Sequence, residues 1–269
     1  DLLLDLVGAQ SITLDEAPAQ EVVQRFMTDR GWEIDRWEAT RDQIADHIIH
    51  VGEQERYENR PNLVARVPGT GGGRSLMLQG HVDVVDPGDP VLWKHDPWGE
   101  RDGDRIYGRG SVDMKGGVVA MLLARQALAE LDIAIKGDVY LATTVGEEDG
   151  GLGALSLVLR GYRPDGVVLP EPTDRALVIA QGGSLVFRIT VHGKAAHGAN
   201  RNQGESAFEH FYPIFHALLD WERERNATIS HPLYDHMENK FPLSVGVVRA
   251  GNWASTVPES LVAEGRLGF

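Results

Sequence analysis

In the stretch "LQGHVDVVDPGD", Leu78 to Asp89, a histidine and an aspartate stand two residues apart. His81 and Asp83 close an apolar run, and a strand ending there puts both side chains on one face as the chain leaves the core. Four more acids occupy comparable places: Asp113 in "GRGSVDMKGG", Glu147 and Glu148 in "TTVGEEDGG", and Glu171 in "VVLPEPTD". Imidazole with carboxylates can ligate divalent cations such as zinc, cobalt or manganese. Two such ions bridged by one carboxylate can clamp a water between them. Without a cation, so many carboxylates in one crevice would repel one another.

Taken singly, each residue has a plainer reading. His-x-Asp at a strand end is commonly a hydrogen-bonded surface pair, and Glu-Glu-Asp before Gly-Gly a solvated turn. Glu171 before Pro172 can simply open a loop, and Asp113 can cap the helix that starts near Gly116. Asp86 and Asp89 keep the plain reading, as solvated loop residues. The six others gain weight jointly, because the main apolar strands end in acid or imidazole and the intervening glycines allow close backbone approach.

The elements that must position them follow from the patterning. "TLDEAPAQEVVQRFMTDRG" predicts a helix, with Thr13 and Glu16 as a capping box and Gly31 as its stop. Strands are expected at "WEIDRWEA", "NLVARVPG", residues 75–85, "DVYLATTVG" and "GVVLP", with a short one near Arg105–Tyr107. Residues 116–131 are apolar nearly all round, which predicts a largely buried helix. "GTGGGR" reads as a hairpin turn; a phosphate loop needs a Gly-Lys-Ser/Thr ending and a helix after it, and here a strand follows. The alternation predicts an α/β fold with a mostly parallel sheet over residues 1–183, in which functional groups gather beyond the carboxyl ends of the strands. Over 184–269 the texture changes to cleanly alternating strands around one long helix, about Glu205–Arg225, kinked at Pro213. This reads as a second, smaller α+β domain with an antiparallel sheet.

The 269 residues are 42% hydrophobic, enough for one large domain or two ordinary ones, and carry a net charge of −14. The acidic balance argues against nucleic acid and anionic membrane as partners. With no cysteine, disulfides and thiolate metal sites are excluded, so any metal is held by His, Asp and Glu. No apolar run reaches membrane-spanning length, and the start "DLLLDLVGAQSIT" lacks the basic and apolar regions of a signal peptide. A cytoplasmic protein is expected, with residues missing upstream of Asp1.

The motifs "GHVDVV", "YGRGSVDMKGG", "GEEDGG", "PEPT" and "GKAAHGA", in this order, resemble those of a co-catalytic dizinc metallo-hydrolase family. Its members include acetylornithine deacetylase, succinyl-diaminopimelate desuccinylase, aminoacylase and carboxypeptidase G. The resemblance runs from about Asn62 to the end, and the tail from Phe241 resembles deacylase-type members, including deformylases of aminopyrimidines. It implies that His81 and Glu171 bind one metal, that Asp113 bridges two, and that Glu148 binds the other. It further implies Glu147 as general base, Asp83 as the group that orients His81, and His197 as a histidine that reaches across a homodimer to polarise the substrate carbonyl. The domains so implied are a catalytic one (1–183, incomplete) and a dimerisation or lid domain (184–269, partial). The family's last ligand is a histidine further downstream, so a C-terminally truncated chain is expected. Ser255 stands where many relatives have a substrate-contacting asparagine.

The resemblance thus implies an enzyme that cleaves the amide bond of a small N-acylated amino compound, with two divalent ions, zinc foremost. A dipeptidase or carboxypeptidase on the same scaffold is the nearest alternative. A non-catalytic metal-binding relative and a flavodoxin-like nucleotide binder are more distant ones; in the latter, Asp113 would repel a phosphate.

Overall fold

Apolar alternation along Pro61–Val67 sends Leu63, Ala65 and Val67 to one face of a sheet and Val64 to the other. Both faces are covered in the computed structural model, which describes residues 1–45, 47 and 56–269. The chain divides into two compact units, Asp1–Ala176 and Leu177–Phe269.

In the first unit the strands are β1 (Glu33–Glu38), β2 (Pro61–Val67), β3 (Leu76–His81), β4 (Glu100–Asp102), β5 (Arg105–Tyr107), β6 (Val139–Thr144) and β7 (Gly166–Val168). The helices are α1 (Leu2–Gly8), α2 (Ala17–Thr28), α3 (Arg41–Ala45), α4 (Lys115–Glu130) and α5 (Leu152–Leu159). The main sheet has the order β1-β2-β6-β3-β7. Residues from α1, α2 and α4 form one core with Leu63, Ala65, Val139 and Leu141, while Leu157 of α5 packs on the opposite face with Trp37, Val64, Met77 and Ala142.

The sheet is mixed rather than mostly parallel. β1–β2 and β2–β6 pair antiparallel; β6–β3 and β3–β7 pair parallel. Nor do β2 and β3 form a hairpin, since β6 lies between them. The glycine-rich turn passes over the start of β6, where Thr70 and Gly71 donate to the carbonyls of Ile135 and Lys136. The parallel trio is what positions chemistry. The chain leaves β3 for β6 on one side and returns to β7 on the other, so β3 sits at a switch point where a crevice opens beyond the carboxyl ends.

Two helix expectations need correction. Thr13 and Glu16 make no capping box: Glu16 is itself the N-cap of α2, and its buried carboxylate pairs with Arg60. Pro18, the second residue of α2, has a fixed φ that suits the first turn. α4 is buried over Lys115, Val118, Val119, Met121 and Leu122, in its first half; Leu123 is 44% exposed. Asp113 does not cap α4, because Met114 holds that place and no side chain bonds there.

The second unit contains β8 (Ser184–His192), β9 (Ala196–His197), α6 (Ala207–Thr228), β10 (Leu243–Ala250), β11 (Thr256–Val257) and β12 (Ser260–Gly268). Its sheet, β10-β12-β8, is antiparallel throughout, as the alternation predicts. Ala207 and Phe211 of α6 close its core with Val191, Leu261 and Ala263. Ser206 caps α6 by accepting the N–H of Glu209, and Pro213 lies inside the helix.

Candidate metal centre

His81 is the last residue of β3, the strand flanked on both sides by parallel neighbours, and its ring is buried. Its Nε2 looks out on three carboxylates: Asp113 at 3.3 Å, Glu147 at 3.8 Å and Glu171 at 3.9 Å. Each arrives from a different segment. Asp113 precedes α4, Glu147 follows β6 and Glu171 follows β7. The approach of α4 to the last of these depends on Gly117, where a Cβ would lie 2.2 Å from the carbonyl oxygen of Pro170. Ligand atoms of His81, Asp113 and Glu171 all lie within 4.8 Å of one another, a spacing one cation could close.

On the other side of the ring, Nδ1 lies 2.9 Å from the backbone carbonyl of Asp83 and 3.5 Å from its carboxylate. The nearer carbonyl orients the imidazole, leaving Nε2 free to ligate. The Asp83 carboxylate has a second task. It accepts the N–H of Glu147 on Oδ1 at 3.1 Å and the N–H of Glu148 on Oδ2 at 3.0 Å. One buried carboxylate therefore fixes the backbone of both acids in the turn, which is not a freely solvated one.

Electrostatics mark the cluster as cation-seeking. Burial pushes the carboxyl of Glu148 up to about 7, reinforced by the charge of Asp113. Burial likewise raises Glu147 and Glu171, with the charge of His81 opposing in both. Burial disfavours the His81 imidazolium, but Asp83, Glu147 and Glu171 outweigh it and push the group up to about 9. Burial also penalises the Asp83 carboxylate, yet His81 and the two N–H donors hold it below the usual range. Protons here do what a divalent cation does better, namely cancel the repulsion of converging carboxylates.

Several supporting groups were not visible in the sequence. Thr13 Oγ1 lies 3.4 Å from Asp83 Oδ2, and Ser11 donates its hydroxyl to the carbonyl of Val82 at 2.6 Å. Lys115, fully buried, donates to the carbonyls of Leu6 and Ala9 at 2.8 and 3.0 Å, and burial brings its pKa down to about 7. Arg60 packs beneath Gly146, whose φ of +65° suits glycine and whose Cβ would meet the guanidinium at 2.9 Å. Lys115 at least lies in a motif-bearing stretch; Ser11 and Arg60 carry no local signal, and the local pattern at Thr13 points elsewhere.

His197 belongs to the second unit. It is exposed, at the end of β9, paired with Thr256 of β11, and its Nδ1 accepts the N–H of Ala199. Among the described residues, no helix is long and apolar enough to cross a membrane.

Residues 77–248 match the family described as Peptidase family M20/M25/M40. A probable succinyl-diaminopimelate desuccinylase of Staphylococcus epidermidis is 34% identical over 190 residues, 70% of this chain and 46% of that protein. The N-formyl-4-amino-5-aminomethyl-2-methylpyrimidine deformylase of Bacillus subtilis is 28% identical over 254 residues, 89% of this chain and 55% of that one. The chain thus spans about half the length of these curated relatives. Among solved structures, an M20 family metallo-carboxypeptidase from Sulfolobus solfataricus superposes with TM-score 0.70 at 17% identity, covering 99% of this chain and 70% of that one. A dipeptidase from Saccharomyces cerevisiae gives 0.72 at 12%, covering 99% and 68%. At such identities the likeness is one of fold alone.

Proposed function

Because the chain belongs to peptidase family M20/M25/M40, we propose that it serves as a metal-dependent hydrolase of the amide bond in a small N-acylated amino compound. The observation that carries this reading is the ring of Asp113, Glu147 and Glu171 around Nε2 of His81. A donor set of one imidazole and several carboxylates suits zinc, with cobalt or manganese as substitutes. His81 and Glu171 would hold one ion, Glu148 the other, and Asp113 both. Bound divalent metal would supply the positive charge that acidifies water towards a pKa of ~7 and polarises the scissile carbonyl.

The chain's own residues do the rest. Glu147, raised in pKa and half open to solvent, takes the proton of the attacking water and returns it to the leaving nitrogen. Asp83 keeps its carbonyl on His81 and its carboxylate on the Glu147–Glu148 backbone, so that base and ligands hold one geometry. Residues 1–183 would form the catalytic domain and 184–269 a dimerisation domain, with His197 of one subunit helping to bind the oxyanion in the other. Exposed Phe208 and Tyr212 on α6 supply apolar area for such a contact.

The likeness to a desuccinylase and a deformylase favours an acylated amine over a dipeptide as substrate. The test is a panel of N-succinyl, N-acetyl and N-formyl amino compounds beside dipeptides, run on the natural full-length protein with zinc, cobalt or manganese. The expected result is hydrolysis of an acylated amine, abolished by chelation and restored by metal. Glu147→Gln should keep the metal and lose turnover by about 10²-fold or more. Chelator-resistant hydrolysis would sink the metal reading, and a preference for dipeptides the substrate class.

A further inference from the structure

The turn bearing Glu147 and Glu148 is held at a third backbone N–H besides the two taken by Asp83. Val145 donates its N–H to Oδ1 of Asn62 at 3.2 Å. Asn62 is the second residue of β2 and fully buried. Among the described residues its Nδ2 has no hydrogen-bond partner. A buried amide normally satisfies both its ends, because an unpaired one has lost its water for nothing. Leucine would fill the same space without that cost, so the place of Asn62 is accounted for by its oxygen.

That oxygen acts at the point where the chain leaves the sheet. The β2–β6 ladder ends with the pair Leu63 and Thr143, so the N–H of Val145 lies beyond it. From there the loop closes on itself: Gly153 donates to the carbonyl of Val145 at 2.9 Å, and Gly151 and Leu152 donate to that of Gly146 at 2.8 and 3.1 Å. Arg60, held by Glu16, lies under Gly146. The loop is thus a closed unit fixed at its base by Asn62 and further along by Asp83.

We propose that Asn62 is a positioning residue for Glu147 and Glu148: its Oδ1 fixes Val145, and through it the height of the turn that carries both acids and brings Glu147 to Nε2 of His81. This rests on the metal-dependent reading above. Asn62 touches neither metal nor substrate. It acts through the backbone, as outer groups do when they orient ligands.

Cobalt(II) alone is the probe, with the natural full-length protein, because its visible spectrum reports ligand geometry independently of turnover. Asn62→Leu removes the acceptor and keeps the volume; Asn62→Asp keeps an oxygen at the same place. The expected result is that Asn62→Leu binds cobalt about 10–100-fold more weakly with an altered visible spectrum, as outer-group substitutions do. Asn62→Asp should stay within about threefold of the parent. If Asn62→Leu does not fold, Asn62→Ser, which withdraws the oxygen from Val145, is held to the same expectation. An acceptor-free variant with the parent's affinity and spectrum would overturn the inference while leaving the metal reading intact. A parent that fails to bind cobalt would overturn that reading, and this inference with it.

Discussion

Asp83 grips the backbone of Glu148 rather than its side chain: Oδ2 of the one accepts the N–H of the other at 3.0 Å, while Oδ1 accepts that of Glu147. The fit uses both oxygens of a buried carboxylate, and an amide cannot reproduce it. In Asp83→Asn one N–H would face an NH₂ group and be pushed away, although the carbonyl that orients His81 is unchanged. The expected outcome is a folded protein whose metal affinity falls about 10–100-fold. Calorimetric titration with zinc checks it; an unchanged affinity would show that the carbonyl alone matters.

The cluster also sets how the metal-free protein responds to pH. Glu148 titrates near 7 folded against 4.5 unfolded, so between those values the folded state keeps a proton that the unfolded state has lost. Stability then falls as pH rises. His81, near 9 against 6.5, extends the fall, because its contribution is complete below the unfolded value and gone above the folded one. Lys115 works the other way above 7, since its folded value lies below the unfolded 10.5. The net decline is therefore clearest between about pH 5 and 7. Chelated protein should show a falling Tm across that window, and saturating zinc should flatten it. A Tm that rises there without metal would contradict the assignment.

Much of this was legible in sequence, and the part that was not has a physical reason. At His81, Glu147 and Glu171 an apolar run stops at a polar residue, which is local information, and Asp113 stands in a glycine-bearing motif just before a helix, so the four could be nominated and are found together. Strand order is not local. Nothing in "NLVARV" says that its neighbour will be β6, 72 to 80 residues on and antiparallel, which is why the sheet is mixed where a mostly parallel one was expected. The supporting side chains are equally remote from their partners: Asn62 is 83 positions from Val145, Lys115 is 109 from Leu6, and Thr13 is 70 from Asp83. Thr13 and Glu16 also match a capping-box pattern that the fold does not form, so a local pattern hid their long-range use.

Glu16 and Arg60 give the sharpest case of that hidden use. Both side chains are fully buried, with Nε to Oε2 at 2.8 Å and a second contact at 2.5 Å, and Glu16 also accepts the N–H of Leu14. Removing one partner strands the other charge away from water, at a cost of about 3–5 kcal/mol, whereas apolar replacement of both is often close to neutral. Glu16→Leu should therefore lower the urea midpoint sharply, and the double variant Glu16→Leu with Arg60→Met should recover most of the loss. Recovery is expected to be incomplete in one respect. Methionine leaves Gly146 without the guanidinium beneath it, so the double variant should regain stability more fully than it regains metal affinity. Single variants that cost under about 1 kcal/mol would place the pair among solvent-screened bridges instead.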